Sequence, residues 1–389
     1  MRDAVIVDAV RTAVGKRDGA LRDWHPVDLS AEVLTALVRR TGIDPGVVED
    51  VVWGCVTQSG EQAGNVARYA ALAAGLPETV PGTTVDRACG SSQQSVEFAA
   101  ASVIAGHRDV AVAGGVESMT RVPMGAARQA GPGKAFGPRV FARYGREGFS
   151  QGEGAEILAD RWSLTREQVD AYALRSHARA ASAADSGAFA GEIVPVEVTG
   201  DDGRPRVFDT DEGIRRGGTP ESLGRLRTVF RPDGVVTAGN SSQISDGAAA
   251  LLITTSAKAA ELGLTPIARI RAAATVGVDP VSMLTGPIPA TREALAKAGL
   301  TVADIGAFEV NEAFASVPLA WLAELGADPE RVNPLGGAIA LGHPLGASGA
   351  RIMTTLVHHM RAHGIRYGLQ TMCEAAGMAN ATVLELADA

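Results

Sequence analysis

Two stretches of this chain, residues 39–56 and 296–313, share one order of features and constrain the fold more than anything else in the sequence. They read RRTGIDPGVVEDVVWGCV and AKAGLTVADIGAFEVNEA, and each predicts a helix end, a glycine turn, an acidic loop and a buried strand. Cys89 opens a predicted helix after the first stretch, and His343 opens one after the second. The matching order indicates an internal duplication, so we expect two similar halves that face each other.

Length and periodicity support this organisation. The chain has 389 residues, more than the roughly 250 to 300 that one hydrophobic core usually serves. Short apolar runs alternate with Ala-rich helical patterns at 29–40, 92–106 and 347–358, which predicts an α/β fold in layers. We predict an N-terminal half over residues 1–266 and a C-terminal half over residues 267–389.

A loop domain is predicted to be inserted in the N-terminal half, over residues 118–240. This stretch is rich in Gly, Arg and Pro and contains one clear helix start, LTREQ. There Thr165 is the predicted N-cap and Gln168 its capping-box partner, with Leu164 packing as a hydrophobic staple.

Composition excludes several classes of function. The formal net charge of −8 gives no general attraction to nucleic acid or to an anionic membrane. No apolar run reaches the 18 residues of a membrane span, and the N-terminus lacks the apolar region of a signal peptide, so we expect a cytoplasmic protein. Three cysteines over this length predict reduced thiols rather than a disulfide framework. No Cys or His spacing matches a metal site.

Cys89 is the first candidate for chemistry. It lies in DRACGSSQQSVEFAAASVIAG, where small residues precede an apolar helix. Free N–H groups and the positive end of the helix dipole at that position would favour the reactive thiolate. The alternative is a small buried core residue, which is the commoner environment for a free cysteine. Cys55, in the strand of the repeat, is interpreted in that second way.

His343 lies in NPLGGAIALGHPLGASGAR, whose many glycines predict a sharply turning backbone that packs closely against a neighbour. Such a loop could hold an imidazole beside a substrate. A phosphate-binding loop is the alternative, but the Walker lysine and the G-x-G-x-x-G spacing are missing. The stretch also misses the G-x-S-x-G elbow of hydrolases, so Ser348 has little weight as a nucleophile. His358, further along this helix, is expected to be solvated.

Two further polar residues follow predicted strands. Cys373 comes after GLQTM, and Asn311 comes directly after the buried run Phe308 to Val310. Functional residues collect where strands give way to loops. An amide at Asn311 could orient a water or an oxyanion, although a polar strand terminus is an equally good interpretation.

Together these motifs resemble the thiolase family over nearly the whole chain. VIVDAVRTAVGKRDGAL, DRACGSSQQS, VAGGVESMT, VTAGNSSQISDGAAA, VNEAFA, GGAIALGHPLGASGAR and TMCEAAGMANA stand in the order and spacing of thiolase motifs. The resemblance implies a five-layered αβαβα fold of two related halves, with an inserted loop domain that binds coenzyme A as a co-substrate and no tightly bound cofactor. It also implies a homo-oligomer, dimer or tetramer.

The resemblance assigns a role to each candidate. Cys89 would be the nucleophile, His343 its base, Cys373 the acid and base for carbon–carbon chemistry, and Asn311 the holder of a water in an oxyanion hole. Ser242 would contact the pantetheine arm of coenzyme A and Arg215 its adenine end.

Two positions depart from the family pattern. Ala375 and Ala376 replace glycines after Cys373, where a backbone N–H near Ala375 is expected to complete an oxyanion hole. If that position needs a positive φ, alanine costs about 1 kcal/mol. Gln151 stands where short-chain biosynthetic thiolases have a methionine that lines the acetyl pocket, which favours a longer acyl chain and a glutamine that faces water or a larger cavity.

We therefore expect a 3-ketoacyl-CoA thiolase that acts degradatively on a fatty, branched or ring-bearing acyl chain. The alternative within the family is a biosynthetic acetyl-CoA acetyltransferase that forms acetoacetyl-CoA. The alternative of another class is a coenzyme A-binding scaffold subunit that has lost efficient catalysis. A serine hydrolase is a remote further alternative.

Overall fold

A computed structural model describes residues 2–129, 131–200 and 202–387. The strands are β1 (Val5–Thr12), β2 (Gly15–Lys16), β3 (Asp50–Gly54), β4 (Gly82–Val85), β5 (Val110–Ser118), β6 (Ile193–Val194), β7 (Val196–Thr199), β8 (Pro205–Phe208), β9 (Ser245–Thr254), β10 (Ala268–Gly277), β11 (Ala307–Val310), β12 (Tyr367–Glu374) and β13 (Met378–Leu386). The helices are α1 (Pro26–Thr41), α2 (Val66–Ala73), α3 (Ser91–Ala105), α4 (Ala126–Gln129), α5 (Pro138–Tyr144), α6 (Gln151–Arg161), α7 (Arg166–Asp185), α8 (Pro220–Gly224), α9 (Ser256–Glu261), α10 (Pro287–Ala298), α11 (Ser316–Leu325), α12 (Ala338–Leu341) and α13 (Ser348–His363). Short 3-10 turns cover Pro45–Val47, Gly60–Gln62, Val302–Asp304 and Pro329–Arg331.

The main sheet is two half-sheets joined at one corner. Its strand order is β11-β12-β13-β10 in the C-terminal half and β1-β9-β5-β3-β4 in the N-terminal half. The halves meet where β1 and β10 pair antiparallel, through the pairs Val5 with Arg269 and Ile6 with Ala268. Because only these two pairs are in register, each half-sheet keeps its own twist and its own covering helices.

Helices fill the space between the half-sheets and cover both outer faces. α3 and α13 pack against each other in the middle, so closely that a Cβ added at Gly349 would lie 2.3 Å from the backbone nitrogen of Gln93. One outer face is covered by α1 and α2, and the other by α10. The order is helix, sheet, helix, sheet, helix, which confirms the predicted five-layered α/β fold.

The internal duplication is confirmed in backbone detail. α1 ends at Gly42 with φ +68°, and α10 ends at Gly299 with φ +70°, both in the left-handed conformation that favours glycine. Each is followed by a 3-10 turn and then by a buried strand, β3 in one copy and β11 in the other. β3 pairs parallel with β5, and β11 pairs parallel with β12.

The segment between β5 and β9 carries α4 to α8 and the small β7–β8 hairpin. The capping box predicted at the start of α7 is present: the Thr165 hydroxyl accepts from the Gln168 N–H, and the Gln168 side chain accepts from the Thr165 N–H. The limits of the loop domain at 118–240 and of the halves at 266/267 remain predictions.

The prediction for His358 was wrong. This side chain is buried, and its Nε2–H donates to the Ala9 carbonyl oxygen at 2.9 Å. The reason is that α13 lies in the middle layer, where helix faces that would meet water in a smaller protein meet a strand instead. Among the residues that the structure describes, no helix is both long and apolar enough to cross a membrane.

Candidate active site

Cys89 lies between β4 and α3, two residues before the helix begins. Its side chain is 3% exposed and packs with Met119, Leu345, Ile352 and Met372. This apolar burial raises the pKa of the thiol to about 12. The predicted effect of the helix N-terminus on the Cys89 thiol is thus opposed by the loss of hydration on burial.

The backbone around Cys89 also uses its own donors. Ala88 takes a φ of +46°, and the N–H groups of Gly90 and Ser91 donate to the carbonyl oxygens of Arg87 and Ala88, at 3.1 Å each. These N–H groups close a tight turn rather than point freely at the sulfur.

Gln151 reaches the Cys89 sulfur from the loop segment. It is the first residue of α6, and its Nε2 lies 3.9 Å from the Cys89 Sγ. The side chain is partly buried. The start of α6 directs the amide onto the thiol, and the expectation that Gln151 faces water or a larger cavity stays a prediction.

Close backbone contacts position the His343 loop, as its glycines predicted. A Cβ added at Gly115 would lie 2.1 Å from the Gly346 carbonyl oxygen, and one added at Gly54 would lie 2.6 Å from it. A Cβ at Gly346 itself would lie 2.4 Å from the Val116 carbonyl oxygen. The loop therefore lies directly on the ends of β3 and β5, across the boundary between the halves.

The tautomer of His343 follows from its neighbours. The Ser348 hydroxyl donates to the Pro344 carbonyl oxygen at 2.8 Å, and its oxygen is 2.6 Å from the His343 Nδ1. Since that hydroxyl hydrogen is already used, Ser348 accepts from Nδ1–H and leaves Nε2 unprotonated. Burial, with a smaller effect of the Arg351 charge, lowers the pKa of His343 to about 3. The resting imidazole is therefore neutral, with its Nε2 unprotonated.

Asn311 follows β11 directly, as predicted, and is 1% exposed. Its Nδ2 lies 3.5 Å from the His343 Nε2, so the structure brings these two predicted residues together. Its Oδ1 is buried and has no protein hydrogen-bond partner among the described residues. The next residue, Glu312, anchors the segment by accepting from the Tyr172 and Ser176 hydroxyls at 3.0 and 2.6 Å.

Cys373 lies inside β12, one residue before the strand ends, rather than just beyond it. The side chain is 1% exposed and packs with Leu158, Met283 and Phe314. Burial, followed by the charge of Cys89, raises the pKa of the Cys373 thiol well above its usual range. The two buried thiols, Cys89 and Cys373, come from different halves of the molecule.

The two alanines that replace glycines after Cys373 differ in backbone conformation. Ala376 has a φ of +65°, whereas Ala375 is not among the residues with positive φ. The backbone cost foreseen for Ala375 therefore falls on Ala376, and Ala375 keeps its N–H without strain.

Arg215 and Ser242 line one cavity, of about 770 Å³, with Lys16, Arg17 and Gln243. The Gln243 carbonyl oxygen accepts from the His343 N–H at 3.2 Å, so this cavity adjoins the histidine loop. Arg215 is exposed, and its backbone N–H donates to the His177 Nδ1 at 3.0 Å. A second cavity of about 460 Å³ also includes Arg215, beside His177, Ser222 and Leu226.

Two supporting residues were missed by sequence reasoning. Glu117, at the end of β5, is fully buried and accepts from the backbone N–H groups of Val56, Thr57 and Gly346 at 2.8 to 2.9 Å. Ser348, considered only as a nucleophile, orients His343. For Glu117 the sequence did contain a signal, namely a charged residue at the end of a buried strand. For Ser348, which lies five residues after His343, the sequence contained no such signal.

All three cysteines are free and buried. Within the described ranges, no group of three His, Cys, Asp or Glu side chains is arranged to hold a metal ion.

Two protein-family models together match nearly the whole chain. The model described as thiolase, N-terminal domain, matches residues 4–257, and the model described as thiolase, C-terminal domain, matches residues 264–386.

Individual relatives match along their full length. A steroid 3-ketoacyl-CoA thiolase, FadA6, of Mycobacterium tuberculosis is 49% identical over 99% of this chain and 94% of that protein. A 3-ketoacyl-CoA thiolase of Pectobacterium carotovorum is 47% identical over 99% of this chain and 100% of its own length. Among solved structures, the acetyl-CoA acetyltransferase of Bacillus anthracis aligns with a TM-score of 0.92 at 40% identity, over 100% of this chain and 99% of that one.

Proposed function

Because the chain belongs to the thiolase family of acyltransferases, we propose that it cleaves 3-ketoacyl-CoA esters with coenzyme A, giving acetyl-CoA and an acyl-CoA shortened by two carbons. The observation that carries the proposal is a pair of buried thiols, Cys89 and Cys373, in one protein with an imidazole, His343, whose unprotonated Nε2 lies 3.5 Å from the Asn311 amide. One thiol suffices for acyl transfer alone, whereas breaking a carbon–carbon bond also needs a group that moves a proton at carbon.

In the first step, the Cys89 thiol gives its proton to the His343 Nε2 and its sulfur attacks the 3-keto carbon. The bond between carbons 2 and 3 breaks, which leaves the acyl group on Cys89 and the electron pair on acetyl-CoA as an enolate. His343 and a water held by Asn311 donate hydrogen bonds to the enolate oxygen. Cys373 gives its proton to carbon 2, and acetyl-CoA leaves.

In the second step, the thiol of a free coenzyme A molecule attacks the acyl-Cys89 thioester. The Cys373 thiolate takes the proton of the incoming thiol. The Cys89 sulfur leaves and takes back the proton that the His343 Nε2 has held since the first step. A backbone N–H near Ala375 stabilises the oxyanion of this second reaction. The protein is thus returned to its starting protonation state.

Coenzyme A itself is proposed to bind in the cavity that contains Ser242 and Arg215. Lys16, Arg17 and Arg215 supply positive charge for its phosphates, and Ser242 supplies a polar contact for the pantetheine arm. This position directs the thiol end of coenzyme A toward the His343 loop.

A chain longer than acetoacetyl is proposed for the substrate. The family relatives at 46–49% identity are named 3-ketoacyl-CoA thiolases, one of them a steroid thiolase. Gln151 stands where methionine would fill the acetyl pocket. Each additional buried CH₂ of the acyl chain contributes about 0.8 kcal/mol, so a pocket that admits a longer chain favours it in kcat/KM.

The second candidate function is acetoacetyl-CoA synthesis, since the fold aligns with the acetyl-CoA acetyltransferase of B. anthracis. A thiolysis assay with 3-ketoacyl-CoA esters of increasing length separates the two. We expect medium or longer esters to have higher kcat/KM than acetoacetyl-CoA, and Gln151→Met to reduce that preference. A tenfold preference of the wild type for acetoacetyl-CoA would reverse the assignment in favour of synthesis.

The scaffold alternative is tested by mass. We expect acetyl-CoA to add one acetyl group to the intact wild-type protein and none to Cys89→Ala. Absence of labelling in the wild type would favour a coenzyme A-binding subunit without catalysis. The proposed homo-oligomer is tested by light scattering on the full chain, where a monomer mass would contradict it.

A further inference from the structure

The Cys89 sulfur has mostly apolar neighbours, and its polar side-chain contact comes from Gln151 at the start of α6. Four of its side-chain neighbours are apolar, and the N–H groups of Gly90 and Ser91 are used in the turn. Among the described residues, the Gln151 Nε2 at 3.9 Å is the one side-chain donor within hydrogen-bond distance of this sulfur. Methionine, which fills this position in short-chain thiolases, has no donor at all.

The start of α6 is held in place independently of substrate. The Ser150 hydroxyl caps the helix by accepting from the Glu153 N–H at 3.3 Å. Arg146 pairs with Glu153 at 2.8 Å, and a Cβ added at Gly152 would lie 2.1 Å from the Phe230 ring. The amide of Gln151 is therefore carried on a fixed backbone, which reduces the entropy lost when it meets the sulfur.

We propose that Gln151 is a catalytic residue of this enzyme, and that its side-chain amide donates a hydrogen bond to the Cys89 sulfur whenever that sulfur carries negative charge. The inference rests on the proposed role of Cys89 as the nucleophile. When His343 takes the thiol proton, the electron pair stays on sulfur and Gln151 shares its N–H without transferring it. The same donor acts when the sulfur leaves the thioester in the second step.

The electrostatics agree with this geometry. Burial raises the pKa of Cys89, and the hydrogen bond from Gln151 is the largest of the effects that lower it. A donor matters more at this sulfur than at an exposed one, because a hydrogen bond to a charged group strengthens as water is excluded. The loop segment thus contributes to the chemistry as well as to substrate binding.

The test is the pH dependence of Cys89 alkylation by iodoacetamide, followed on the Cys89 peptide by mass spectrometry in the full chain. Gln151→Leu removes the donor at similar size, and we expect the alkylation rate at pH 8 to fall about tenfold, with the curve displaced to higher pH. Gln151→Glu keeps the shape but faces the thiolate with a carboxylate, so its rate is expected to fall further.

Asp160→Asn is the matched control, because it breaks an exposed ion pair to Arg231 further along the same helix and leaves Gln151 and the anchors of the helix start in place. Its curve is expected to stay within about twofold of the wild type. If both Gln151 variants showed the same pH dependence of alkylation as the wild type, the proposal would be overturned. Gln151 would then be a pocket residue that alters only chain-length preference. Since alkylation needs no coenzyme A, the result is independent of whether the chain performs thiolysis.

Discussion

The two halves of the molecule share one scaffold and carry different chemistry. At one constant offset in residue number, β3 of the first half matches β11 of the second, α3 matches α13 and β5 matches β12, whereas α2 and β4 have no counterpart of the same kind. The catalytic candidates nevertheless fall at positions that do not correspond. Cys89 matches Gly346 in the second half, and Asn311 matches Gly54 in the first.

The glycines at these unmatched positions have a physical cause. A Cβ at Gly54 would collide with the Gly346 carbonyl oxygen, and a Cβ at Gly346 would collide with the backbone of Val116 and Cys55. One half can therefore place a reactive side chain beside the boundary only where the equivalent position of the other half is a glycine. The site therefore depends on differences between the two halves, because a glycine in one half leaves space for the side chain that the other half supplies.

The largest expected effect comes from removing the thiol of one half at a time. Cys89→Ala should abolish thiolysis, by about 10⁴-fold or more, together with acetyl labelling, because both need a thioester on that sulfur. Cys373→Ala should still accept an acetyl group on Cys89 yet lose cleavage of carbon–carbon bonds. The measurements are intact mass and thiolysis rate for each variant. Normal thiolysis by Cys373→Ala would remove that residue from the mechanism.

A second prediction concerns the equivalent carboxyl groups Glu117 and Glu374. Glu117 accepts four hydrogen bonds, whereas neither oxygen of Glu374 has a protein partner among the described residues. Glu117→Gln places an N–H₂ where backbone N–H groups need an acceptor. It should lower the free energy of unfolding by about 2 kcal/mol, measured by urea denaturation. Glu374→Gln should cost little at neutral pH.

The pH dependence of stability sharpens this contrast. Burial, opposed in part by the charge of Arg87, raises the pKa of Glu374 from its ordinary 4.5 to about 8. The folded state thus holds a proton that the unfolded state releases, so this contribution to stability is complete below pH 4.5 and is lost as the pH rises through 8. We expect the Tm of Glu374→Gln to fall less than that of the wild type between pH 6 and pH 9. Parallel Tm curves would contradict the raised pKa.

The smallest effect is expected in the turn between β12 and β13. Ala376→Gly should raise the free energy of unfolding by up to about 1 kcal/mol, because glycine adopts a φ of +65° without the steric cost of Cβ. Ala375→Gly is the control and should destabilise slightly, since that residue has no positive φ to relieve and glycine has a larger unfolded-state entropy. Equal changes in the two variants would contradict this assignment of backbone strain.

Much of the architecture could be predicted from the sequence, because helix periods and glycine stops are local signals. The duplication, the capping box at Thr165 and the position of Asn311 after its strand all depend on neighbours in the chain. The state of the Cys89 thiol could not be predicted, since Met119, Leu345 and Met372 come from distant elements that bury it. The error for His358 has the same origin, because a helix between two sheets has no free face.

The placement of the positive φ at Ala376 rather than Ala375 depends on the geometry of a three-residue turn, which a pair of identical residues does not reveal. The orientation of Gln151 toward the thiol depends on how the inserted segment docks on the two halves. Local sequence therefore proposes the candidate residues, and only the packed structure defines what each side chain contacts.

The contact of the His343 loop with Gly54 and Gly115 also limits how such an enzyme can diversify. Side chains cannot be enlarged at this boundary, and the floor of the site is bounded by backbone atoms that every variant must share. New acyl specificities are then expected to arise from the inserted segment, where α5 has no buried residue. For protein engineering, the molecule divides into a fixed set of residues around Cys89 and His343 and a variable segment before α6, so libraries that aim at other substrates belong in residues 131–149.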